Sequence, residues 1–364
     1  MSFDFCADQA RQRGEDCLGT APTPSTYVCV ECPSPWASQQ FESKATPDNL
    51  RCWMAEQDFL RQQTKFLLIS SHPSQQQSGA RILFFEKPSG PARCYQRRET
   101  WVADPAQIVN QLQRYFSGEK VGIDTTHSRD RDILICTHGA YDRCCGRYGY
   151  PLYRQLLKWA SQPKLSHVRL WQASHIGGHR FAPTLVDFPE GRYYGGISLA
   201  QSQQLLLRQG PIQDLLVAYR GWGLLPRPLQ VAEAAFFRQY GWDWLQLRVE
   251  YTLTAKDDQE IIRGALLCHA PDDYCRTYGV EVEVDRIQVC GSCGDQLSAW
   301  ALKYHLRHQS PPQLIKGKQP QRSRPFMQSA PGSPLDLTQA AKGKPKGKPK
   351  GKSKGKPHLD RSGL

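Results

Sequence analysis

The stretch from Cys136 to His179 constrains this chain more than any other. It contains CTHGAYDRCCGRYG, then a helix-like and a strand-like run, then SHIGGH. Asp132-ILICT reads as a strand that delivers Cys136 at its C-terminal end, and Pro151 opens a helix that turns Leu152, Leu156, Leu157 and Ala160 inward. His167-VRLWQAS reads as a second strand, delivering His175. Eight residues separate Cys136 from Cys145 and three separate His175 from His179. Thiolate plus imidazole suits zinc, copper or iron–sulfur chemistry, and four such side chains would complete one metal site.

The spacing bears on which metal is held. A zinc knuckle takes its cysteines from a tight turn, because both sulfurs must reach one small ion. Eight intervening residues suit a loop around something larger, such as a [2Fe-2S] core with two cysteines on one iron and two histidines on the other. Two neutral imidazoles in place of two thiolates leave the oxidised site formally neutral rather than dianionic, which favours a higher potential. Each imidazole also keeps an N–H that responds to the charge on the iron. Gly177 and Gly178 argue against a helical zinc-protease face for the two histidines, since each disfavours a helix interior by about 1 kcal/mol. The segment is expected to be a loop whose glycines bring backbone N–H groups close to the cofactor.

These residues resemble the sucrase/ferredoxin-like family, thioredoxin-like ferredoxins whose motif is C-[ST]-H-x-x-x-D-x-x-C followed by H-x-G-G-H. The matching positions are Cys136, Thr137, His138, Asp142, Cys145, His175, Gly177, Gly178 and His179. GTAP from Gly19, PSPW at 33–36, PEGRYYG at 189–195 and YRG at 219–221 extend the resemblance over most of residues 5–300. It implies a [2Fe-2S] cluster held by Cys136, Cys145, His175 and His179, and one-electron transfer or redox sensing with an unidentified redox partner protein. His138, Asp142 and Cys144 would lie next to the ligands and support them.

The fold expected is α/β. Residues 1–125 form an N-terminal half reading strand, helix, three strands, helix. Residues 126–221 repeat that order as a thioredoxin-like ferredoxin domain, with a hairpin across Pro189-Glu190-Gly191 and a helix from Leu199. Residues 222–312 form an accessory α+β element whose alternating strands, LQLRVEYTL and VEVEVD, suit half-exposed antiparallel pairing. Residues 313–364 form a basic Lys-Gly-Pro tail too poor in apolar groups to fold.

Charge separates the tail from the body. Of the formal net charge of +13, the thirteen Lys and Arg and two Asp from Leu314 onward supply +11. The folded part is therefore nearly neutral, and nucleic-acid binding is not its design. The tail has no aromatics interleaved with its basic residues to stack on bases, so polyanion binding through it would be weak and salt-sensitive. No apolar run is long enough to span a membrane, and the N-terminus lacks a signal-peptide pattern, so no membrane insertion and a cytoplasmic location are expected. The thirteen cysteines then read as metal ligands plus buried thiols, with Cys6, Cys17, Cys52 and Cys94 in the second class.

Three other functions compete. Sucrose cleavage needs two carboxyl groups flanking the bond, for which Asp142, Asp187 and Glu190 are candidates by nearness. A thiol oxidoreductase would use Cys144-Cys145 or Cys290/Cys293, whereas Cys29/Cys32 sits in a strand and lacks the helix N-terminus that stabilises a reactive thiolate. A Cys2His2 zinc module is the third. Cys268, Cys275, Cys290 and Cys293 offer a second zinc site, and Arg143, Arg147 and Arg180 a docking surface for an acidic donor.

Overall fold

A computed structural model describes residues 5–58, 60, 64–72, 78–254, 260–270, 275–294 and 297–316. The chain starts with a short helix, α1 (Cys6–Gln12), and then enters a ten-stranded sheet. Its first half comprises β1 (Thr26–Glu31), helix α2 (Asp48–Ala55), β2 (Thr64–Ser70), β3 (Ala80–Glu86), β4 (Gln96–Val102) and helix α3 (Ile108–Phe116), with the two-residue β5 (Ile123–Asp124) at the edge. The second half comprises β6 (Arg131–Cys136), helix α4 (Tyr150–Ala160), β7 (Val168–Ala173), β8 (Thr184–Phe188), β9 (Arg192–Gly195) and helix α5 (Leu199–Leu207). After the short α6 (Ile212–Leu216), β10 (Tyr219–Trp222) closes the far edge.

Both halves have the expected element order, and their pairing matches as well. β1 lies parallel to β2 and antiparallel to β3, which pairs with β4; β6 lies parallel to β7 and antiparallel to β8, which pairs with β9. The halves join where β2 and β7 pair antiparallel by their last residues, Ile69 with Ala173 and Ser70 with Gln172. Central strands are buried on both faces, which explains their unbroken apolar runs. In β1, Tyr27 and Cys29 face one core while Val28 and Val30 face the other, beneath α2 and α3. Cys32 belongs with Val28 and Val30, so Cys29 and Cys32 point to opposite sides and form no redox pair.

Asp132, fully buried at the start of β6, ties the halves together. It takes hydrogen bonds from Arg169 on β7 at 2.7 Å and Trp171 Nε1 at 2.8 Å, and pairs with Arg97 on β4 at 2.9 Å. Removing one partner of so buried a group costs about 3–5 kcal/mol, because the remaining charges stay out of water.

The accessory region begins with α7 (Arg227–Tyr240), which packs on β10. A second antiparallel sheet follows, made of β11 (Arg248–Leu253), β12 (Ile261–His269), β13 (Cys275–Cys290) and β14 (Leu297–Gln309), with β15 (Gln313–Lys316) on β13. It shares a core with the large sheet through Phe236, Trp244, Leu266 and Tyr278. β15 overlaps the start assigned to the basic tail: Gln313 and Leu314 pair with Thr277 and Arg276. The remainder of that tail lies outside the described residues.

Candidate metal centre

β6 and β7 end side by side, and each end carries part of the site. Cys136 closes β6, paired with Ala173 of β7. Two residues later comes His175, fixed by its neighbour: Ser174 N–H donates to Leu68 O at 2.8 Å, and Leu68 N–H to Ser174 Oγ at 2.9 Å. Cys145 arrives from a helix rather than from the expected loop. Asp142 starts that helix at Arg143, its carboxylate accepting from Cys144 N–H at 2.9 Å and its carbonyl from Cys145 N–H at 3.0 Å. The first turns, Cys145–Gly149, are π-helical before α4 continues, a local widening common at functional sites. Gly149 allows the close approach, since a Cβ there would lie 1.9 Å from Cys136 O.

Cys136, Cys145 and His175 thereby come together, with their ligand atoms all within 4.8 Å of one another. His175 Nδ1 stands 3.7 Å from Cys145 Sγ and 4.0 Å from Cys136 Sγ. Cys136 is held well below its ordinary pKa, chiefly by the hydrogen bond from Cys145, against burial and with help from His175. Cys145 moves up, because the same bond and burial hold its proton.

His179 is near this group and also faces another. Its ring centroid is 5.6 Å from that of His175, but its Nδ1 lies 3.2 Å from both Asp142 Oδ2 and Cys6 Sγ. Burial presses Asp142 towards its neutral form, yet hydrogen bonds from His179, Cys293 and Cys144 N–H hold its carboxyl below the usual range. His138 supports His175: burial lowers its pKa, Nε2–H donates to Ala37 O at 2.7 Å, and Nδ1 accepts from His175 N–H at 3.3 Å. Gly177 and Gly178 lie in a loop with φ of 95° and 80°. What Gly178 accommodates is the Arg220 guanidinium, 2.4 Å from where its Cβ would stand. Arg220 in turn donates to Gly177 O at 2.9 Å.

Tyr141 and Lys65 were not singled out in the sequence. Tyr141, 52% exposed, stacks on His175 at 3.9 Å. Lys65 enters from β2, its ammonium pulled below its ordinary pKa by burial while the charge of Cys136 opposes that shift. With His138 and His175 they line an open cleft of 550 Å³. A tyrosine immediately before a motif aspartate carries no sequence signal of its own, and the lysine is remote in the chain.

Other candidates separate. Cys144 points away from Cys145, towards Cys6 and Cys293, so the vicinal thiols serve different sites. Cys275 and Cys290 are the two ends of β13, which at about 3.3 Å per residue puts them far beyond the reach of one ion. The candidate second zinc site of Cys268, Cys275, Cys290 and Cys293 is therefore corrected, whereas Cys6 is the buried free thiol expected, placed beside Cys144 and Cys293. Asp187 and Glu190 are held by arginines: Arg131 binds both oxygens of Asp187 at 3.1 and 2.6 Å, and Arg208 lies 2.5 Å from Glu190. The arginines around the site also have local partners, Arg147 over Phe5, Arg180 on Glu15 and Arg143 on Cys293 O.

No described helix is long and apolar enough to cross a membrane. No solved structure matches the chain. Over 123 residues it is 35% identical to "Altered inheritance of mitochondria protein 32" of Meyerozyma guilliermondii, an alignment covering 32% of this chain and 43% of that protein. The sucrase/ferredoxin-like family matches residues 17–221, from Cys17 through β10. That range is more than half of the sequence and includes both strand ends and their cysteine and histidine pairs, so the chain belongs to the sucrase/ferredoxin-like family.

Proposed function

We propose that this chain holds a [2Fe-2S] cluster through Cys136, Cys145, His175 and His179 and transfers single electrons or senses redox state. The observation that carries this is the convergence of Cys136, Cys145 and His175 at the neighbouring ends of β6 and β7. The donor chemistry fits: two buried thiols face each other, one of them shifted towards its thiolate, and imidazole nitrogen lies beside both. Bound there, such a cluster would supply a one-electron couple. The protein's part is to hold the donors and control their surroundings. Asp142 accepts the Nδ1 hydrogen of His179, which orients the ring and would leave Nε2 for iron. His138 fixes the backbone of His175, and Tyr141 covers its ring. The cleft along Lys65 and Tyr141 opens the histidine side to a redox partner, while Cys136 and Cys145 remain buried.

A thioredoxin-like architecture for residues 126–221 and work in a reducing, cytoplasmic compartment belong to the same reading. The first is supported by the strand, helix, strand, hairpin, helix order, and the second by thirteen cysteines in thiol form. Anaerobic purification, with an absorption spectrum and iron and sulfide analysis, tests the proposal. Two iron and two acid-labile sulfide per chain are expected. A colourless protein with zinc at Cys136 and Cys145 would replace it with a zinc-stabilised module.

A further inference from the structure

Behind the motif, three thiols from distant parts of the sequence meet. Cys6 comes from α1, Cys144 from the helix start and Cys293 from the turn after β13. Their sulfurs are 3.5 Å apart for Cys6 and Cys144, 3.7 Å for Cys6 and Cys293, and 3.1 Å for Cys144 and Cys293. The Asp142 carboxylate completes the group, with Oδ1 at 3.0 Å from Cys293 Sγ and 3.9 Å from Cys6 Sγ.

These lengths run from about 0.7 Å short of the edges of a tetrahedron around zinc to slightly beyond them, so small side-chain shifts would seat the ion. With Zn–S of about 2.3 Å and Zn–O of about 2.0 Å, the S···S edges are roughly 3.8 Å and the S···O edges roughly 3.5 Å. The four ligand atoms all lie within 4.8 Å of one another. We propose that Cys6, Cys144, Cys293 and Asp142 bind a structural zinc ion, distinct from the iron site on the other side of Cys145.

The surroundings hold the candidate ligands in place. Ala7 N–H points at Cys144 Sγ from 3.4 Å, and Cys293 N–H donates to Asp142 Oδ2 at 3.2 Å, the kind of outer contact that orients metal ligands. The Asp142 carboxylate, only 6% exposed, lies among the three sulfurs and offers an ion a buried anionic oxygen beside thiols that can give up their protons. Arg143 donates to Cys293 O at 3.2 Å, near the negative charge that a zinc ion would leave. His179 is outside the set, since its Nδ1 reaches Cys6 but neither of the other two sulfurs at hydrogen-bond range. Cys290 belongs to the same apolar cluster, but its Sγ donates to Ser292 O at 3.1 Å.

Zinc here would fasten α1 and the turn after β13 over the residues that carry Asp142 and Cys145. Binding forms three Zn–S bonds and one Zn–O bond and releases the thiol protons, with no change of oxidation state.

The test uses the full chain and does not depend on the iron site. Zinc analysis should give one zinc per chain, and cobalt(II) added to zinc-stripped protein should give the intense visible bands of tetrahedral thiolate coordination. Cys6→Ser, Cys144→Ser and Cys293→Ser should each weaken zinc binding by at least about 100-fold, more than loss of an outer partner costs, and iron content should persist. Cys136→Ser should do the reverse, losing iron and keeping zinc. Asp142→Asn should weaken zinc binding, whereas Cys290→Ser should leave it intact. Wild-type protein without zinc and without tetrahedral cobalt bands would overturn the proposal, as would a Cys144–Cys293 disulfide in the purified chain. Loss of zinc from Cys136→Ser but not Cys6→Ser would overturn it too, by placing the zinc at the other site.

Discussion

In the first half of the large sheet, β1 ends on Glu31 and Ser71 follows β2, its hydroxyl donating to Glu31 Oε1 at 2.7 Å. In the second half, β6 ends on Cys136 and Ser174-His175 follows β7. Each corner opens into a cleft whose far wall comes from the other half. Arg169 and Trp171 of β7 stand beside Glu31 and Ser71, and Thr64 and Lys65 of β2 stand beside His138 and His175. One corner is finished with ion pairs, Arg169 and Arg81 on Glu99 at 2.9 and 2.7 Å; the other is finished with thiols and imidazoles. The same strand pairing thus supports either set of side chains at its end.

The largest effect follows directly. Cys136→Ala and Cys145→Ala should reduce iron to background while far-UV circular dichroism stays as in wild type, because the first half forms its corner without any ligand. Cys144→Ala should retain iron, its side chain being turned towards Cys6. A chain that keeps iron without Cys145 and loses it without Cys144 would shift the ligand register by one residue.

Next comes the contact that seats Cys145. In Gly149→Ala the new Cβ meets Cys136 O, a backbone atom that cannot move without disturbing β6. Destabilisation of about 3 kcal/mol is expected, at the upper end for overpacking, together with reduced iron content. Denaturant unfolding of iron-free protein separates the two effects. An unchanged midpoint would show that helix and strand end are less tightly coupled than their spacing implies.

A third difference lies in what the corners do with protons. An imidazole bound through one nitrogen keeps a second N–H, which ferric iron helps to ionise more than ferrous iron does. The midpoint potential should therefore fall at alkaline pH by about 59 mV per pH unit for one proton per electron. His175→Cys or His179→Cys should add a negative charge, lower the potential by about 100 mV or more, and remove part of that slope. Redox titrations across alkaline pH check this. A potential independent of pH would take the histidines out of the iron's coordination shell.

The two corners also mark what could be read from the chain. Strand ends were legible because β6 and β7 are apolar runs that stop at Cys136 and just before His175. Cys6, Cys144 and Cys293 were not legible as a group. They are separated by 138 and 149 positions and meet only because α1 packs against 179–181 and β13 runs back along the molecule. The pairing of Cys290 with Cys268 failed for a related reason: a strand of sixteen residues separates what looks near in sequence. The helical entry of Cys145 was hidden because Gly146 and Gly149 argue for a loop, while the structure uses them for close packing against Gly139 and Cys136.

The smallest expected effect is at the ligand-free corner. Ser71→Ala removes the hydroxyl that donates to Glu31, a hydrogen bond at a part-buried position whose acceptor keeps some access to water. Such a bond contributes about 1 kcal/mol, so the unfolding midpoint should fall slightly, with iron content and potential unchanged. Glu31→Gln should act in the same direction and by a similar amount, since the amide oxygen still accepts from Ser71 but the charge is gone. Measuring iron alongside stability makes this a test of the comparison itself. If either substitution lowered the iron content or moved the potential, the two corners would be coupled across the junction of β2 and β7. The second half would then depend on how the first is finished, and the ligands would not be a local addition to a strand end.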